Sequence, residues 1–171
     1  MDDRGADAGA DAGADAAAET LFVRELLAQV HEIRQFHEVV EYTADAVWTV
    51  RTDEDTEVTL EYDAGSERLF IFCDLGTPPE DGALAAYGFF LRYNYQVTET
   101  GGARVAMRDE AGPLSMIYDL SEAELRAGIL PVVFENLAAV LPAWRALVAR
   151  GLGAGDDEPE PGAFPHPALR V

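Results

Sequence analysis

Lysine is absent from the chain: all 12 basic residues are arginine, set against 32 acidic ones, for a net charge of −20 over 171 residues. A surface so poor in cations has little to exchange for the counterions of a phosphate backbone, which excludes nucleic acid as a partner class. An anionic membrane surface is disfavoured for the same reason. Cysteine is limited to Cys73, so an intrachain disulfide framework is excluded. Its place in the run Leu69-Phe70-Ile71-Phe72-Cys73 predicts a buried small residue. A reactive thiol would need an adjacent His or Arg, or a helix start, to lower its pKa. No apolar run is expected to cross a bilayer. The N-terminus has no basic start followed by an apolar stretch, so no signal peptide is read there. These absences predict a cytoplasmic protein.

Catalytic constellations are missing too. His31, His37 and His166 are the only histidines, and they are not placed to share a metal. Asp53-Glu54-Asp55 lacks the spaced oxygen ligands and glycine of a calcium loop and reads as a solvated turn. Gly101-Gly102 precedes a strand rather than a helix and has no lysine nearby, so it is a turn and not a phosphate loop. Carboxylates are too abundant for any one pair to stand out as an acid–base couple. The expectation is no enzyme, no metal and no cofactor.

What is present is a core between two acidic tails. Residues 1–19 repeat Gly-Ala-Asp-Ala three times and carry six acids against one arginine; residues 151–171 carry four acids against one arginine, with four prolines. Both are expected to be disordered, because neither offers the apolar surface that offsets the entropy of ordering. The domain is expected to span residues 20–150.

Within it, Phe22, Val23, Leu26, Leu27, Val30, Ile33 and His37 recur at helical spacing, predicting an amphipathic helix that ends near Val39-Val40. Three strands follow. The first has Ala46, Trp48 and Val50 on one face. The second alternates Val58, Leu60 and Tyr62 with polar residues. The third, Leu69 to Cys73, is apolar on both faces, which predicts cover on both sides. After Thr77-Pro78-Pro79, a second helix is expected over residues 81–90. Two more strands flank the Asp109 to Gly112 turn, carrying Ala103, Val105 and Met107, then Leu114, Met116 and Tyr118. Ser121-Glu122-Ala123-Glu124 is a capping box, with Leu120 and Leu125 as its staple. The helix it opens should break near Gly128 to Pro131, with a milder bend near Pro142. The expected fold is α+β in the order α-β-β-β-α-β-β-α, an antiparallel sheet covered by helices. Tyr87, Phe89, Phe90, Leu91, Tyr93 and Tyr95 crowd the second helix beyond what one buried stripe requires. A two-fold dimer through that helix would bury the surplus.

This pattern resembles the type III secretion chaperones, the Tir-chaperone or CesT-like family, from about Leu21 to Val148. The more specific stretch is Tyr87 to Leu120: an aromatic- and Leu-rich helix, a Gly-Gly turn, Val105-Ala106-Met107, the Asp109 to Gly112 turn, and Tyr118-Asp119-Leu120. Leu125, Phe134-Glu135-Asn136 and Trp144 are similar to the family's closing helix. The tails, Pro131 and Pro142 are not family features. The resemblance implies a secretion-chaperone-like dimer that works without ATP. It would bind the extended N-terminal segment of a secreted effector, keep it secretion-competent and deliver it to the secretion apparatus. It also implies client contacts at Leu26, Leu27, Val30, Ile33, Trp48, Val58, Leu60 and Phe70, and a dimer interface at Leu84, Tyr87, Phe90 and Leu91. The alternative is a protein-binding or regulatory module of the same fold that is not tied to secretion.

Overall fold

Alternating burial builds the sheet. In the strand Glu57–Asp63, Val58, Leu60 and Tyr62 are buried while Glu57, Glu61 and Asp63 face solvent, the period of two that pleating dictates. The structure is a computed structural model that describes residues 21–28, 36–42, 46–52, 57–96, 100–110 and 112–151, with backbone alone for 36–39, 41, 42 and 52. Both tails, the Asp53 to Asp55 turn, Val30, Ile33, His31 and His166 lie outside the described residues.

Six strands, β1 (Phe36–Tyr42), β2 (Val47–Thr52), β3 (Glu57–Asp63), β4 (Arg68–Gly76), β5 (Arg104–Met107) and β6 (Leu114–Ser121), form one sheet in the order β1-β2-β3-β4-β6-β5. Every neighbouring pair is antiparallel. Helix α1 (residues 21–28) precedes the sheet, α2 (Ala83–Tyr95) carries the chain from β4 toward β5, and α3 (Glu122–Arg126) and α4 (Leu130–Arg150) follow β6.

The antiparallel sheet with helical cover stands as expected, with one strand added. The stretch at Val39-Val40, expected as the end of the first helix, is strand β1, and Phe36 and His37 lie on it. Val39 and Val40 pair there with Val50 and Thr49 of β2. Branched Cβ atoms fit a pleated surface better than a helix, and this partner strand tips the balance.

The final helical region breaks where expected. Ser121 caps α3 through a capping box: its hydroxyl accepts from the Glu124 N–H, and the Ser121 N–H donates to Glu124 Oε2 at 2.8 Å. Gly128 then takes φ +76, a region glycine enters at no steric cost. Pro131 sits in the first turn of α4, where its missing N–H is harmless. Pro142 lies inside α4, which continues through it as helix. By length and composition α4 is apolar enough to cross a membrane, against expectation. Its apolar stripe, including Phe134, Leu137, Trp144 and Val148, is instead buried in the core.

All four helices contribute to one core cluster with the same face of the sheet. Cover on both sides of β4 is therefore not found: Phe70 and Phe72 are only half-buried, on a face that no described helix covers.

Candidate protein-binding surfaces

The open face of the sheet is a row of residues that alternate with the core. Phe70 and Phe72 stack with centroids 6.4 Å apart and planes 29° from parallel. Ile117 pairs with Phe72 from β6, and Thr59 from β3, so aromatic and branched side chains form a band across the middle. One end of the band is held by charge. Asp119, opposite Phe70, accepts from Arg68 Nε at 2.6 Å and pairs with Arg104 of β5. The other end opens into a cavity of about 340 Å³ lined by Phe72, Thr59, Ser115, Asp74, Arg108 and Arg145 among others.

The sequence-predicted client contacts divide by face. Leu27, Trp48, Val58 and Leu60 are all buried to 2 % exposure or less. This corrects the expectation for them: they point to the helix-covered side and have no surface to offer a partner. Leu26 is partly buried on α1, and Phe70 is on the open face. Phe72 and Ile117 lie on the same open face as Phe70, and for Phe72 the sequence signal is the two-sided apolar run of β4.

A second apolar surface lies along α2. Leu84, Leu91 and Tyr95 are 85 %, 71 % and 88 % exposed, far above what a helix sealed inside a monomer shows. Tyr87 is half-buried beside them. Phe90 is corrected from interface to core: it stacks on Trp144 of α4 at 5.6 Å, and Tyr93 meets the same indole edge-on at 4.9 Å. Between α2 and β5 the surface dips into an apolar cleft of about 140 Å³ lined by Tyr87, Leu91, Val105, Met107 and Leu114.

Among the described residues, burial dominates the shifts of three titrating groups. Burial pushes the Cys73 thiol up to about 12 and the Tyr93 phenol up to about 12. Burial, with Glu124 and Asp119 nearby, raises Tyr118. Among the described residues no group of His, Cys, Asp and Glu is arranged to hold a metal.

The profile of the Tir chaperone protein (CesT) family matches residues 24–145. The chain belongs to this family. It is a chaperone family rather than an enzyme class. Compared with curated protein sequences, this member finds no match. Among solved structures it is similar to a chain of the ExsC–ExsE complex, with a TM-score of 0.64 and 18% identity over 76% of this chain and 96% of that one. It is also similar to a chain of the HopA1–SchA chaperone–effector complex, with a TM-score of 0.53 and 17% identity over 76% and 98%. Both show that the CesT-family fold found here, a helix-covered antiparallel sheet, is shared at low sequence identity.

Proposed function

We propose that this CesT-family member is a cytoplasmic, ATP-independent chaperone for a type III secreted effector. It binds the effector's N-terminal segment in extended form, keeps it secretion-competent and delivers it to the apparatus. The observation that carries this is the open sheet face: an aromatic and branched band with one rank of charges at its end and no described helix over it. An extended client places alternate side chains on such a band while its main chain pairs at a strand edge. The exposed row Leu84, Leu91 and Tyr95 is the proposed two-fold contact. Purification of the tagged protein from its native cells under mild conditions, followed by mass spectrometry, tests the reading. One dominant secreted protein, bound through its N-terminal segment to two chaperone copies, is expected. Recovery of a regulator or housekeeping protein alone, under secretion-inducing conditions, overturns it in favour of a regulatory module of the same fold.

A further inference from the structure

A second, smaller hollow of about 100 Å³ adjoins the cavity at the end of the open face. Both are lined by Phe72, Arg108 and Ser115; the larger adds the Thr59 hydroxyl, the smaller Ile117. Arg108 therefore stands between a polar hollow and an apolar one, just past the end of β5. Its side chain makes no ion pair among the described residues, in a chain with 32 acidic side chains. The carboxylates of the larger hollow have other partners: Glu57 pairs with Arg51 at 3.0 Å, and Asp74 Oδ1 accepts the Gly76 N–H at 2.7 Å. Asp119, on the same face, is held by Arg68 and Arg104. Arg145 lines the cavity as well but is engaged, its Nε donating to the Asp74 carbonyl at 2.8 Å. The cation left to be satisfied there is Arg108.

We propose that Arg108 reads a carboxylate on the extended client, a Glu or Asp placed two residues from a large apolar side chain. Resting on the chaperone reading, this selectivity narrows the client to one class of segment. Alternate side chains of an extended chain point the same way and stand about 7 Å apart. One of the pair packs on Phe72 and Ile117; the other reaches the Arg108 guanidinium, with the Ser115 hydroxyl beside it. A guanidinium–carboxylate contact is planar and often bidentate, so it fixes position as well as adding affinity. The net charge of −20 repels acidic segments in general. A carboxylate is accepted where Arg108 meets it and opposed elsewhere on the surface, and that contrast selects one register.

The test titrates the isotope-labelled full chain with synthetic peptides and needs no effector. The probe is acetyl-Thr-Ser-Leu-Thr-Glu-Thr-Ser-amide, with a counterpart in which Gln replaces Glu. The Glu peptide should shift the Arg108, Ser115 and Ile117 amide signals. It should bind about tenfold tighter than the Gln peptide, the scale of one hydrogen bond to a charged group. Arg108→Gln should bring both peptides to the same affinity with the melting profile unchanged, because this side chain is exposed and unpaired among the described residues. Placing Glu directly after Leu sends the two side chains to opposite faces and should lose the gain. Equal affinity of the Glu and Gln peptides, a preference that survives Arg108→Gln, or no shift at millimolar peptide each overturns the proposal. So does a gain retained by the rearranged peptide. Movement of the same signals when the protein alone is concentrated also overturns it, assigning the hollow to a second copy. These outcomes leave the chaperone reading standing, because that is decided by what copurifies from native cells. A regulator recovered there removes the chaperone reading while the peptide preference stands.

Discussion

Asn94 and Val105 exchange two hydrogen bonds: Asn94 Nδ2 donates to the Val105 carbonyl, and the Val105 N–H donates to Asn94 Oδ1, both at 2.8 Å. A side-chain amide from α2 thus takes the place of a neighbouring strand on β5, an edge of the sheet. Plugged edges resist pairing with other chains. The plug leaves the Val105 main-chain groups unavailable to an incoming strand at that edge.

Asn94→Ala removes both bonds and leaves a part-buried N–H and C=O without them. The expected loss is about 1–3 kcal/mol of folding stability, read as a lower urea midpoint at unchanged slope. A change of less than about 0.5 kcal/mol, the size typical of a neutral surface substitution, counts against the plug.

The α2 surface makes a separate prediction. Leu84→Glu and Leu91→Glu change exposed side chains, so folding should survive while a dimer splits into single chains in light scattering. A mass still equal to two chains places the interface elsewhere. Phe90→Ala should behave differently, costing about 3–5 kcal/mol through lost packing on Trp144.

The two faces of the sheet are distinguished by pairing Trp48→Ala with Phe72→Ser. Trp48 is in the core, so its removal should cost about 3–5 kcal/mol and weaken client binding only as far as the fold is lost. Phe72→Ser should keep a near-native melting profile and weaken capture of the effector N-terminal segment about tenfold or more. Equal binding by Phe72→Ser and the parent chain removes the open face from the client site.

Alkaline pH should unfold the protein earlier than its charge alone predicts. Tyr93 rises from 10.0 to about 12 on folding, and Cys73 from 9.0 to about 12, both through burial. The unfolded chain therefore gives up these protons first as pH rises. Their contribution is fully present below about pH 9 and is lost as pH climbs toward 12. Urea midpoints measured across that window should fall, and Tyr93→Phe should make the fall shallower. A midpoint that stays level from pH 8 to 11 contradicts this.

Local chemistry made much of the architecture legible. Period-two burial in β3, the capping box at Ser121 and the break between Gly128 and Pro131 each depend on residues a few positions apart. Their physics acts within one strand or one turn, so spacing alone reveals it. The family was legible in the same way, from the Tyr87 to Leu120 stretch.

Other features needed the assembled sheet. Val39 and Val40 became strand because β2 lies beside them; a helix and a strand compete closely there until a partner supplies hydrogen bonds. Asp119 finds Arg68 and Arg104 across 51 and 15 residues of sequence, separations that no local pattern encodes. Trp48 and Phe70 look alike as apolar strand residues, yet one is sealed in the core and the other lines the open face. Alternation assigns them to a face, but only the packing of four helices on one side decides which face is dry. The same packing put Phe90 inside and left Leu91, its neighbour in sequence, facing out.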